Sequence, residues 1–177
     1  GKDQEERNSF KSTLLPTSRL SLRLNVKSLQ QPDIVGAVLS MADTLGFVPS
    51  FPNLPFIFTE LFANALEHGV LDMSSELKYK SGEGYLEYYE ERQQRINGLT
   101  DGFIAVEMAL DTVEGKQVLR LMLSDSGRGF DVNEPGYAGL ADGEMAAGRG
   151  LTLVRGMAMH LGYNNQGSEV IALIGCD

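Results

Sequence analysis

The chain has 177 residues, enough for one domain with a sizeable core and too few for two ordinary ones. Hydrophobic residues make up 42% and charged residues 22%, which excludes wholesale disorder. The formal net charge of -9 argues against a nucleic-acid or anionic-membrane surface, although backbone N–H groups can still hold phosphates inside an acidic protein.

Residues 1–17 are polar, end near Pro16 and read as a linker, an expression scar or the cut end of a longer chain; they lack the apolar core of a signal peptide. Residues 18–177 read as a single domain. Arg19 to Val26 alternates apolar and polar, which predicts a half-buried strand. Pro32 to Leu45 carries apolar residues at helical spacing, with Pro32 in the first turn and Gly46 as the stop. A turn-rich connection from Pro49 to Pro55 leads into a helix from about Leu54 to His68, closed by Gly69.

The stretch 70–100 contains a loop over 78–84 and an amphipathic helix from Tyr85 to Asn97, whose tyrosines at 85, 88 and 89 read as a packing stripe. Strands at 103–110 and 118–124 flank the turn Glu114-Gly115 and predict a hairpin. Residues 126–150 hold seven glycines and read as a mobile or tightly turning loop. A helix from Leu151 to Leu161, ended by Gly162 and including His160, precedes a hairpin-like pair around Gly167. Strands adjacent in pairs predict an α+β two-layer sandwich: a mixed, mainly antiparallel sheet with helices on one face.

Chemistry is limited by composition. Cys176 alone excludes an internal disulfide and a cysteine-based zinc site, and only two histidines, His68 and His160, exclude a His-rich metal centre. No apolar run reaches the roughly 18 residues that span a bilayer, so the chain reads as soluble and cytoplasmic. There is no Walker loop, no dinucleotide fingerprint and no Gly-x-Ser-x-Gly elbow.

Three short patterns remain. On the helix before Gly69, Glu60, Asn64, Glu67 and His68 fall within about 100° of one another at 100° per residue. This is either a solvated polar face, or a carboxylate that takes a proton one turn from an amide oxygen that ligates Mg²⁺. Asp125 ends an apolar strand before Gly127 and Gly129, which is either turn chemistry or a carboxylate facing a ligand amine. Gly148, Arg149, Gly150 and Leu151 open a helix, which is either a helix start after a loop or a phosphate site.

In this order, Glu60-x-x-x-Asn64-x-x-x-His68-Gly69, Asp125-x-Gly127-x-Gly129 and Gly148-Arg149-Gly150-Leu151 resemble the GHKL ATP-binding domain shared by histidine kinases, gyrase and a heat-shock chaperone. The resemblance runs from about residue 19 to 174 and is greatest to the anti-sigma-factor serine kinases, in the form fused behind a receiver domain and a metal-dependent serine phosphatase. It implies a Bergerat-type fold, ATP and Mg²⁺ as cofactors, and phosphorylation of a small anti-sigma-factor antagonist in a partner-switching pathway. The other implied reading is an ATP-gated module that binds a sigma factor, anti-sigma factor or antagonist without phosphotransfer.

By position, the resemblance makes Glu60 the general base and Asn64 the Mg²⁺ ligand. Asp125 would accept the adenine amino group beside Gly127 and Gly129, with Ser168 in support through water. Gly148, Arg149 and Gly150, followed by Leu151, would bind phosphates, with His68 also at the nucleotide side. Residues 131–147 would form the ATP lid and 70–100 a helical insertion; relatives dimerise, which implies a homodimer. No nucleic-acid or membrane partner is expected.

Overall fold

A computed structural model of the chain describes residues 17–74, 82–129, 149–164 and 166–177. The expected linker up to residue 16, the expected lid over 131–147 and Gly148 lie outside the described residues.

The elements in chain order are β1 (Arg19–Leu24), α1 (Val26–Leu29), α2 (Ile34–Thr44), α3 (Phe47–Ser50), α4 (Leu54–Asn64), a π-helical turn (Ala65–Val70), α5 (Gly84–Asn97), β2 (Ile104–Val113), β3 (Lys116–Asp125), α6 (Arg149–Met157), β4 (His160–Tyr163) and β5 (Glu169–Ile174). The five strands form one sheet in the order β1-β2-β3-β5-β4. Every pairing among them is antiparallel, so among the described residues the mixed character expected from the sequence is not found.

Side-chain alternation divides the sheet into two faces. The inner face carries Leu22 and Leu24 of β1, Val106 and Met108 of β2, Leu121 and Leu123 of β3, and Val170 and Ala172 of β5. These join Phe58, Leu61 and Phe62 of α4 and Val154 of α6 in one apolar core. The register Ile104↔Asp125 and Val106↔Leu123 places Asp125 on this inner face, at its edge. The outer face carries Arg19, Glu107 and Arg120, joined by ion pairs of 3.6 and 3.9 Å. The molecule is therefore an α+β fold whose five-stranded antiparallel sheet packs helices against one face, as the strand pairing in the sequence predicted.

The β2–β3 hairpin forms where expected. Glu114 and Gly115 both have positive φ (51° and 76°), the geometry whose twist matches that of the flanking strands.

Four local expectations are corrected. Pro32 precedes the Asp33 cap of α2 and stands outside its first turn. The connection before Pro55 contains the short helix α3. The last helix ends at Met157; His160 to Tyr163 is a strand, and His160 is exposed on it. Leu161 fits a helical continuation of Val154 and Ala158 equally well, and the free edge of β5 decides for pairing. Finally, Gly69 does not close the fourth helix. The chain goes on through Val70 with a wider turn, in which the Leu71 amide donates to the Leu66 carbonyl five residues back at 2.8 Å.

Candidate functional site

The site is built on α4 and its π-helical extension, with the end of β3 and the start of α6 against them. Pro55 in the first turn suits the start of α4, since its missing N–H would have no helical partner there. Ile57, Phe58, Leu61 and Phe62 then bury one stripe, with the Phe58 and Phe62 rings 5.6 Å apart. Burying each such side chain stabilises by about 1.5–3 kcal/mol, enough to fix the rotation of the helix about its axis.

With that rotation fixed, Glu60 and Asn64 stand one turn apart, both half-buried. Among the described residues neither side chain has a hydrogen-bond or ion-pair partner. The Glu60 carboxylate lies against Gly150 in the first turn of α6: a β carbon on Gly150 would overlap Oε2 and stand 2.9 Å from Cδ. The first pattern and the third thus meet in space. Leu151, next to Gly150, is buried in the core and anchors this end of α6; the side chain of Arg149 lies outside the described residues.

Asp125 meets the other end of the same helix. Its Oδ1 accepts the Gly127 N–H at 2.8 Å. A β carbon on Gly69 would stand 2.5 Å from that oxygen, and one on Gly127 would stand 2.5 Å from the Gly69 carbonyl oxygen. Burial raises the Asp125 carboxyl above its ordinary range, and the Gly127 N–H opposes the shift in part. The Asp125 N–H donates to the Ser168 carbonyl at 2.9 Å, so Ser168 stands beside it. Gly129, at φ 74°, packs against the Gln166 carbonyl. The close neighbours of Gly69, Gly127, Gly129 and Gly150 are protein atoms. At Gly127 and Gly129 the nearest neighbour is backbone, so packing of the chain on itself requires the lack of a side chain; at Gly69 and Gly150 it is a side-chain carboxylate, of Asp125 and Glu60.

His68 faces its own loop: Nδ1 donates to the Met73 carbonyl at 2.7 Å and braces the chain after the π turn. Glu67 departs from the expected polar face. It is 5% exposed, accepts a hydrogen bond from the Tyr88 hydroxyl of α5, and lies 3.6 Å from Arg92 Nε. The cause is the wide turn, which rotates positions after Asn64 by less than 100° each. The packing stripe expected of the α5 tyrosines holds for buried Tyr88, whereas Tyr85 and Tyr89 are exposed.

One neighbour of Asp125, Tyr163, was not anticipated. The Tyr163 hydroxyl is pushed up to about 12 by burial, with Arg155 opposing and the Asp125 charge adding to the shift. By sequence Tyr163 falls after the Gly162 stop, at the start of the hairpin-like pair, and carries no expected role; its place opposite Val170 on the inner face comes from the pairing of His160–Tyr163 with the last strand.

The residues present fit a purine nucleotide with a hard cation. Asp125 offers a desolvated acceptor with Oδ2 beyond the turn contact, and Asn64 offers an amide oxygen beside the carboxylate of Glu60. The described residues contain no cluster of three or more His, Cys, Asp or Glu that could hold a metal by themselves. Mg²⁺ needs only one or two protein oxygens when phosphates complete its shell. A shallow depression of about 320 Å³ between the π turn and the C-terminal end of α5, lined by Val70, Leu71, Arg95 and Gly98 to Asp101, contains none of these residues.

Comparison with family models, with curated proteins and with solved structures returns no match for this chain. Among the described residues, no helix is long and apolar enough to cross a membrane.

Proposed function

We propose that the chain is a Mg-ATP-dependent protein serine kinase with a GHKL-type, Bergerat-fold nucleotide site, acting on a small anti-sigma-factor antagonist in the cytoplasm. The observation that carries this reading is the placement of Glu60 and Asn64 one turn apart, both without side-chain partners among the described residues, with the Glu60 carboxylate against Gly150 at the start of α6. The desolvated carboxylate of Asp125 at the far end of the same helical run supports it. The nine steps from Glu60 to Gly69 separate the two ends by on the order of 13 Å at about 1.5 Å per residue, a span suited to phosphates at one end and a base at the other.

In this reading Asp125 selects the base: its free oxygen accepts from an exocyclic amine placed as in adenine and repels a carbonyl in that place. Asn64 supplies an amide oxygen to the metal, and the backbone N–H groups of α6 around Gly150 face phosphate oxygens. Glu60 takes the proton of a substrate serine hydroxyl on its carboxylate. Bound Mg-ATP would supply the phosphoryl group and the neutralising charge; the chain's own share is positioning and proton transfer.

Two measurements test this. Calorimetry with Mg-ATP and Mg-GTP should give binding for the first and markedly weaker binding for the second. Incubation with Mg-ATP and a small anti-sigma-factor antagonist should yield phosphoserine by mass spectrometry, and Glu60→Gln should slow transfer by about 10²–10⁴-fold while retaining Mg-ATP. Absence of Mg-ATP binding overturns the reading. Binding of nucleotide and partner without phosphoserine replaces the kinase with a nucleotide-gated binding module.

A further inference from the structure

The π turn is costly on its own. Its hydrogen bonds span five residues, a geometry that survives mainly as single turns supported from outside. It also carries a carboxylate, Glu67, into the interior, where an unpaired charge is strongly disfavoured. Both costs are met by α5. The Tyr88 hydroxyl donates to Glu67 Oε1, and Arg92 Nε stands 3.6 Å from Oε2. Burial beside Glu67 raises the Tyr88 hydroxyl far beyond its ordinary range, so it stays protonated and able to donate. Three residues further on, Arg95 Nη1 donates to the Leu71 and Asp72 carbonyls at 2.8 and 3.0 Å, which caps the end of the turn. From there Asp72 reaches Arg128, between Gly127 and Gly129, at 2.7 Å.

An ordinary helical register over the same residues has a different outcome. At 100° per residue, Glu67 would return to within about 20° of Glu60, putting a second carboxylate on the same face about two turns, or about 10 Å, further along. Gly69 would rotate away from Asp125.

We infer that α5 is a clamp for the candidate site, with Tyr88, Glu67 and Arg95 as positioning residues that hold 65–70 in the wide register. That register seats Gly69 against the Asp125 carboxylate and withdraws Glu67 from the Glu60 and Asn64 face. The functional consequence rests on the nucleotide reading above; the clamp itself does not.

The test uses the full chain. Amide hydrogen exchange is measured without nucleotide at Leu71 and Met73, whose N–H groups close the π turn, with Leu121 and Leu123 of β3 as internal references. Mg-ATP affinity is measured in parallel. Tyr88→Phe should speed exchange at Leu71 and Met73 by about tenfold, leave the references unchanged, and weaken Mg-ATP by a similar factor. Glu67→Gln, which still accepts from Tyr88, should stay close to the parent. Arg95→Gln removes an exposed cap without opening the core and should act in the same direction as Tyr88→Phe; it decides the matter if Tyr88→Phe unfolds the references as well. Exchange at Leu71 and Met73 unchanged in the folded variants overturns the clamp. Faster exchange with unchanged Mg-ATP affinity overturns its role at the site. If the parent binds no Mg-ATP, the proposed function falls, and the exchange measurements still decide the clamp.

Discussion

The Glu60 carboxylate fills the space that a side chain on Gly150 would need, although the two residues are ninety positions apart in the chain. The contact joins the middle of α4 to the first turn of α6 and leaves Gly as the residue that fits without displacing the acid.

Gly150→Ala therefore separates stability from activity. The added methyl meets the end of a flexible side chain, which can swing aside, and alanine is favoured in helices by about 0.5–1 kcal/mol. Urea unfolding should show stability unchanged or slightly raised. Phosphotransfer should fall by at least about tenfold, because a displaced carboxylate loses its alignment.

Asp125→Asn should stabilise the fold in a pH-dependent way. Burial raises the carboxyl, so the folded state keeps its proton to higher pH than the unfolded state does. The stability this group contributes is present below its unfolded pKa and is lost as pH rises through the raised folded value. Asparagine does not ionise and escapes that loss. Urea midpoints should match the parent at about pH 3, below the ordinary carboxylate range, and exceed it at neutral pH. Mg-ATP binding should be lost in the same variant.

Gly115→Ala and Gly129→Ala form a matched pair. Both positions have φ near 75°, but nothing lies within 4 Å of a β carbon at Gly115, whereas one at Gly129 would overlap the Gln166 carbonyl. The left-handed backbone alone costs alanine about 1–2 kcal/mol, and overpacking adds about 1–3 kcal/mol. Denaturant unfolding should show Gly129→Ala as the more damaging of the two by that second amount.

Glu114 is a β-hairpin residue at φ 51° with no glycine freedom. Glu114→Asn places a residue that tolerates this region and should raise stability by about 0.5–1 kcal/mol. Thermal unfolding checks this, with Mg-ATP affinity expected to stay at the parent value.

Much of the fold was legible before any coordinates. Alternation at Arg19 to Leu24 and on either side of Glu114-Gly115 identified β1 to β3, because one buried face imposes a two-residue period. The apolar spacing of Phe58, Leu61 and Phe62 identified α4, and the position of Asp125 at a strand end before two glycines was visible as a motif. Each of these signals is written within a few neighbouring residues.

What the sequence alone determined, then, is the set of elements and the chemical groups they carry: a carboxylate and an amide one turn apart, an acid closing a strand, and glycines where the chain comes close to something. What only the tertiary structure decided is what those groups meet. Glu67 turned inward because Tyr88, twenty-one residues later, supplies its hydrogen bond, and His160 to Tyr163 became strand because β5 had an edge to fill. Local periodicity cannot encode either outcome, since in both the deciding energy comes from a partner that reaches the segment only once the chain has folded.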